Sequence, residues 1–314
     1  MRERAILDRV YAANALLPPS VVLPPGDDMG AVRLGAERVL VTVDQVADGV
    51  HFRLAEAPIA LIARKAITRN LSDVAAMAAQ PLAAVVAAAL PRGLGEDRAE
   101  ALSLALRQTA ASFDCPLIGG DLCVWDHPML LSVTVLAHPA GVEPVLRRGA
   151  QPGDAVCVTG ALGGSLLDLR GRVHHLAFEP RLREARALAS NPATRPTAMI
   201  DLSDGLAKDL RHLLEPDGLA CTLDLAALPL SEAAHLAQQA DGVPAWRHAM
   251  TDGEDYELCF TLPPAAARAL SSVLGTPITV IGHVHREGPP GEILIVSRGD
   301  TRPFTGTGYE HADT

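Results

Sequence analysis

Apolar positions recur along this chain with two periods, and the periods alternate. Ile6, Val10, Ala13 and Leu17 stand three or four residues apart and predict a short helix, stopped by Pro18-Pro19. Pro24 to Gly30 reads as a loop. Ala31–Leu34 and Arg38–Val43 predict a hairpin around Gly35-Ala36, with Asp44 at the end of its second strand. Pro58 to Gln80 reads as a long helix with proline near its start. Leu82–Leu90 is apolar throughout and predicts a buried strand. A helix follows over Glu96–Phe113. Leu117-Ile118 then leads into a Gly119-Gly120-Asp121 turn, and Met129–Ala137 is a further strand.

His138 to Asp154 is rich in Pro, Gly and Arg and marks a domain boundary, giving domains 1–140 and 141–314. A second series follows. It comprises a strand at Ala155–Thr159, a Gly-rich turn, helices to Ser190, a strand at Ala198–Asp201, a helix from Gly205 and a strand at Leu219–Leu223. A helix near Ser231–Gln239, a strand at Tyr256–Leu262, a helix from Pro263, and strands at Ile278–Ile281 and Glu292–Val296 complete it. Both halves mix helices and strands, so the fold class is α/β (α+β) with two mixed domains.

Composition narrows the function. Twenty-seven Lys and Arg against 37 Asp and Glu leave a net charge of −10. That argues against a surface built for nucleic acid or an anionic membrane, which needs a basic face. An anionic ligand is still admitted, because bound cations invert the local field. The five cysteines are scattered with no Cys-x-x-Cys pair, which suits a reducing cytoplasm. The charged N-terminus reads as no signal peptide, and the longest apolar run is too short to span a bilayer.

Short aspartate motifs carry the chemistry: Gly26-Asp27-Asp28, Thr42-Val43-Asp44, Asn70-Leu71-Ser72-Asp73, Gly119-Gly120-Asp121 and Asp201-Leu202-Ser203-Asp204-Gly205. Clustered carboxylates repel unless cations sit between them. Hard oxygen donors select Mg²⁺ or Ca²⁺, and Mg²⁺ usually shares its coordination with substrate phosphates. Ile59, Ile62, Ala66, Asn70, Asp73 and Met77 share one helical face, so Asn70 and Asp73 interrupt an apolar stripe. A buried acid there needs a metal or an arginine such as Arg64 or Arg69. The two glycines before Asp121 admit close approach of a phosphate, or simply make a hairpin turn. Ser203 or Asp204 suits a helix N-cap, and a helix N-terminus also binds phosphate. Arg147-Arg148 can fork a phosphate or be solvated linker charge. His51 reads as a loop residue. Glu254, Asp255 and Glu257 around Tyr256 make either a solvated acidic turn or a recognition site for a cationic substrate. Thr159 to Ser165 is Gly-rich but lacks the lysine and spacing of a phosphate loop, and reads as a structural turn.

In this order, these motifs resemble thiamine-monophosphate kinases, a family of the aminoimidazole ribonucleotide synthetase and selenophosphate synthetase superfamily. The most specific pieces are Lys65-Ala66 with Asn70 to Met77, Ile118 to Asp121, Ile200 to Leu206, and Gly253 to Leu258. The resemblance implies transfer of a phosphate from ATP to thiamine monophosphate. It also implies a homodimer formed through the N-terminal sheet, and a C-terminal domain with a mixed sheet covered by helices. By similarity, Asp28, Thr42, Val43, Asp44, Asp73, Asp121, Asp201 and Asp204 hold several Mg²⁺ ions. Gly120, Asp121, Arg147 and Ser203 contact ATP, and His51 and Glu254 contact thiamine monophosphate. Asp44, Asp73 and Asp121 act catalytically as ligands, with no general base. Val43 stands where the family often has threonine, so ligation there must use its backbone carbonyl. Gly306 stands where it often has an aromatic residue, leaving Phe304 or Tyr309 to stack on the substrate.

Related enzymes fit less well. A selenophosphate synthetase carries a reactive cysteine near its N-terminus, whereas Cys115 is the first here. The hydrogenase-maturation relative ends in cysteine, and this sequence ends in Thr314. Aminoimidazole ribonucleotide synthetase is disfavoured by the Gly253 to Leu258 run. A non-catalytic Ca²⁺ module would require a compact loop of acids, and these are dispersed.

Overall fold

A computed structural model describes residues 11–169 and 172–309. Of the expected first helix, Ile6 and Val10 lie outside the described residues, and Ala13–Leu16 forms a 3₁₀ turn. The first sheet has strands β1 (Val21–Leu23), β2 (Gly30–Leu34), β3 (Glu37–Ala47), β4 (Gln80–Pro91), β5 (Leu117–Trp125) and β6 (Leu130–His138). Their order is β1-β2-β3-β6-β4-β5, with only β4 and β5 parallel. The helices Ile59–Ala76 and Glu96–Ser112 share a core with one face of this sheet. Ile62, Ile67, Leu71, Leu102 and Leu106 pack there with Leu40, Val133 and Val135.

Four expectations change in this half. Asp44 does not end its strand: β3 stays paired with β6 from Leu40 to Ala47. Its side chain therefore follows strand alternation and shares the helix-covered face with Leu40, Thr42 and Val46. The long helix stops at Ala76, because Ala78 turns left-handed (φ 52°) and Ala79 N–H closes onto Val74 O. Leu82–Leu90 is buried on one side only; Leu82 and Val85 are exposed. Gly119-Gly120-Asp121 is not a turn. It lies inside β5, with Val86 opposite Gly120 and Ala87 opposite Asp121. The glycine at 120 serves strand pairing, since a Cβ there would sit 2.0 Å from the Val86 carbonyl oxygen.

The second half begins with β7 (Ala155–Thr159) and a small hairpin, β8 (Asp168–Leu169) with β9 (Arg172–Val173). Strands β10 (Ala198–Asp201), β11 (Ala220–Asp224), β12 (Leu258–Leu262), β13 (Ser272–Val273), β14 (Thr276–His285), β15 (Ile293–Ser297) and β16 (Asp300–Pro303) follow. Together with β7 they form a mixed sheet ordered β10-β12-β7-β14-β11-β15-β16, with β13 on β14. Every residue of β7 is buried because both its faces are covered. Val156 and Val158 pack with the helix Leu206–Leu214, and Ala155 and Cys157 pack with the helix Leu182–Ser190. Ala75 and Ala78, at the end of the long helix, join the second of these clusters. The long helix thus carries residues of the first half to the second sheet. Among the described residues no helix is long and apolar enough to cross a membrane.

Candidate active site

The acids meet where the long helix crosses from one sheet to the other. Asp28 enters from the loop before β2, Asp73 from the long helix, and Asp201 from the end of β10. One carboxylate oxygen of each lies within 4.8 Å of the others. Neighbouring hydroxyls hold the set in place: Thr42 Oγ1 donates to Asp73 Oδ2 (2.5 Å) and Ser72 Oγ to Asp201 Oδ2 (2.6 Å). Asn70 is buried, accepting from Asp44 N–H at 3.0 Å and donating to Ala66 O. The helical stripe thus contains a hydrogen-bonded amide beside an acid of the converging cluster.

The charge is poorly compensated. Burial, then Asp44, Asp201 and Asp28, push the Asp73 carboxyl well above the carboxylate range. Burial and Asp28 raise Asp201 to about 7. Burial and Asp28 also raise Asp27 to about 6. Arg147 is neither solvated nor free for phosphate here. Its Nη2 donates to Asp28 Oδ1 at 2.6 Å, and its N–H points at the Asp27 carboxylate. Asp28 Oδ2 is buried with no hydrogen-bond partner. Three converging carboxylates and an orphaned oxygen fit a hard divalent cation, and the donors are all oxygen.

A cavity of about 710 Å³ opens beside this cluster, lined by His51, Arg69, His175, Ser203, Glu254 and Tyr309 among others. At its floor Lys65 is fully buried. Lys65 Nζ donates to His51 O (2.8 Å) and both Glu254 oxygens (2.7 Å each), and meets His175 Nδ1 at 2.6 Å. Burial opposes both charges. It wins at Lys65, whose pKa falls to about 8. It loses at Glu254, where His175 and Lys65 hold the carboxyl down at about 2. Glu254 therefore faces the cavity as a fixed anion.

The acidic run around Tyr256 is not solvated, because it is zipped to the Asp201 loop. Glu254 N–H donates to Ser203 O, Tyr256 N–H to Leu202 O, and Leu202 N–H to Glu257 O. Glu254 and Tyr256 both hold positive φ (56° and 52°), a conformation uncommon for residues with side chains. Glu257 is locked by Arg181 and Thr159 Oγ1. Asp255 accepts from Gly163 N–H and Ser165 Oγ, so the Gly-rich turn is internal scaffolding as its sequence suggested.

Asp255 also makes a stability prediction. Burial raises its carboxyl to about 7, against the Ser165 and Gly163 hydrogen bonds, and Oδ2 has no partner. The folded chain then binds this proton more tightly than the unfolded chain, so stability falls as pH rises from about 4 through about 7. Asp255→Asn should flatten that fall and stabilise the protein at pH 8 by something of the order of 4 kcal/mol. Urea melts of both proteins at pH 5 and pH 8 test it; parallel profiles would refute it.

Several expected residues lie elsewhere. Val43 turns its side chain to the open face of the first sheet, exposed, which leaves its backbone carbonyl as the one oxygen donor it offers. Gly120 and Asp121 are on β5, three strand spacings from β3, or about 14 Å. Ser203 and Asp204 do not cap the helix; Gly205 occupies that position, and Asp204 pairs with Lys208 at 2.7 Å. Asp204 and Ser203 do line the cavity. Phe304 is a core residue, edge-on to Trp246 and buried. Its ring fills the space where a Cβ on Gly306 would lie, 2.5 Å away, so an aromatic at 306 has no room. Tyr309 is the C-terminal aromatic at the cavity. The cysteines are all free, and Cys123 alone is exposed. Sequence reasoning passed over Lys65, Arg69 and His175 as site residues. The four-residue steps from Lys65 to Arg69 to Asp73 were the available signal for two of them. His175 had none.

The family described as AIR synthase related protein, N-terminal domain, matches residues 26–138. The thiamine-monophosphate kinase of Rhodopirellula baltica is 38% identical over 275 residues, covering 85% of this chain and 84% of its own. Among solved structures, AaThiL complexed with AMPPCP and TMP superposes with a TM-score of 0.76 at 26% identity, over 99% of this chain and 97% of that one. The thiamine-monophosphate kinase from Stenotrophomonas maltophilia gives 0.71 at 31% identity, over 95% and 98%.

Proposed function

This chain belongs to the thiamine-monophosphate kinase family, and we propose that it transfers the γ-phosphate of ATP in line to thiamine monophosphate, releasing ADP and thiamine diphosphate. The observation that carries the reading is the adjacency of the three-acid cluster to a cavity whose floor is a fixed carboxylate. The thiazolium of the acceptor is a cation, and Glu254 is held ionised to meet it. The nucleophile is a phosphate oxygen with a second pKa of about 6, so it needs no base. His51, Glu254 and Tyr309 orient the organic part and Ser203 meets the nucleotide, while Arg147, tied to Asp28, orients the acid cluster.

Asp28, Asp73 and Asp201, with Thr42, Asp44 and Asp204 nearby, would hold Mg²⁺. Bound there, Mg²⁺ supplies charge neutralisation between two polyanions and in the transferring phosphoryl group. The residues' own contribution is to gather oxygen donors in a dry cleft and to keep them from relaxing apart.

We further propose a homodimer. Among the described residues nothing pairs with the outer edge of β5, and Ile118, Leu122 and Val124 are 66, 60 and 52% exposed. Exposed apolar edges of this kind are normally covered. The occupant we assign is a second copy, because Asp121 cannot reach Asp44 within one chain across three strands. A second copy docked through β5 would supply its Asp121 to the site that Asp44 enters from the helix-covered face. The free cysteines suit a cytoplasmic setting.

The test is direct. Protein incubated with Mg²⁺, ATP and thiamine monophosphate should form thiamine diphosphate and ADP in equal amounts, with no phosphorylated protein trapped during turnover. ADP release without thiamine diphosphate would overturn the assignment, and a trapped phosphoenzyme would overturn direct transfer.

A further inference from the structure

We propose that Arg69 and Tyr256 form the subsite for the acceptor's own phosphate, an inference that rests on the function proposed above. Lys65, Arg69 and Asp73 follow one another by single helical turns on the long helix. Lys65 lies under Glu254 at the cavity floor, and Asp73 lies in the acid cluster. Arg69 stands between them and lines the cavity. An acceptor whose cationic end meets Glu254 and whose phosphate reaches the acids must pass over Arg69.

Two buried donors at this junction make no hydrogen bond. Arg69 Nε is buried and makes no hydrogen bond; it lies 3.4 Å from Asp44 Oδ2 as an ion pair only, while Nη1 reaches Gln45 O at 3.3 Å. The Tyr256 hydroxyl is also buried without a partner, in a residue only 2% exposed. It lies among the charges of Glu254, Arg69, Asp44 and Asp201. It cannot swing away. The ring is stacked on Phe178 with centroids 3.8 Å apart, and the backbone is tied to Leu202. Buried polar atoms are nearly always satisfied, so two buried donors without a hydrogen bond, each within the other's field, call for an acceptor. A guanidinium with a phenol selects an anionic oxygen, and a phosphate monoester supplies several.

A phosphoryl oxygen at this place could also come from the nucleotide, and affinity ratios separate the two sources. Binding of thiamine monophosphate and of unphosphorylated thiamine is measured by calorimetry without ATP, and binding of AMPPCP is measured separately. In the wild type the phosphorylated ligand should bind more tightly. Arg69→Gln should shrink that preference by about 10- to 100-fold with AMPPCP affinity unchanged, and Arg69→Lys should fall between. Tyr256→Phe, which keeps the stacked ring, should shrink it by roughly 5-fold. If Arg69→Gln does not fold, Tyr256→Phe decides by the same ratio. An unchanged preference in folded variants overturns the subsite, as does a loss confined to AMPPCP. Failure of the underlying function looks different: the wild type itself would then show no binding of thiamine monophosphate.

Discussion

Asp73→Asn should lower turnover by at least about 10³-fold, some 4 kcal/mol of barrier, and at the same time raise the melting temperature of the ligand-free protein. The two effects have one origin. Asp73 shares with Asp28 and Asp201 a space only 4.8 Å across, and burial together with Asp44 and Asp201 works against its ionisation. Without cations the cluster opposes folding, because like charges in a poorly solvated site repel. Asparagine removes one charge yet keeps an oxygen to accept from Thr42. At pH 8 a rise of roughly 1.5 °C per kcal/mol of relieved repulsion is expected for a chain of this size. With Mg²⁺ and nucleotide added, the order should reverse, since the wild type gains more from the ions. Steady-state kinetics and calorimetry in chelator and in Mg²⁺ check both arms. A destabilised Asp73→Asn protein that turns over normally would show that the cluster is structural.

Asp44→Asn and Asp121→Asn should each abolish turnover, and subunits carrying one change apiece should restore it when combined. Strand order sets this expectation. Asp121 is three strands from β3 in its own chain, so a site using both acids must draw them from different copies. In a mixed two-fold dimer one site then carries both changes and the other carries neither. Random pairing of equal amounts gives about half mixed dimers, hence about a quarter of wild-type activity. Co-expression with two affinity tags, purification of the mixed species and assay decide the matter. If both acids served one site from the same chain, every mixed site would carry one change and nothing would be recovered. The same experiment fails if the chain is monomeric, which sedimentation would reveal separately.

Periodicity carried the fold well where burial is one-sided. The stripe from Ile59 to Met77 gave both the long helix and the misplaced acid within it, because a carboxylate on an apolar face needs a reason. The strand expected at Met129–Ala137 is β6, Leu130–His138. Legibility failed where glycine served an unexpected neighbour: Gly119-Gly120 reads as a turn, but the close approach it permits is by the Val86 carbonyl of an adjacent parallel strand. It failed again at Phe304, whose aromatic character suits stacking on a ligand equally well as packing on Trp246. The Lys65 site was illegible for a different reason. Its partners His175 and Glu254 are 110 and 189 residues away, and no local pattern encodes a contact of that range. The acidic run at Glu254 to Glu257 misled by composition, since backbone hydrogen bonds to the Asp201 loop bury charges that would otherwise face water.

The long helix has one more effect. Eight residues separate Lys65 from Asp73, and at 1.5 Å of rise per residue the helix spaces them about 12 Å apart. That interval is covalent in origin and does not breathe as a loop would. With the acceptor placed as proposed, the helix would act as a yardstick, grading acceptors by the span between their cationic and anionic ends. A shorter molecule would leave one end untouched, and a longer one would have to buckle.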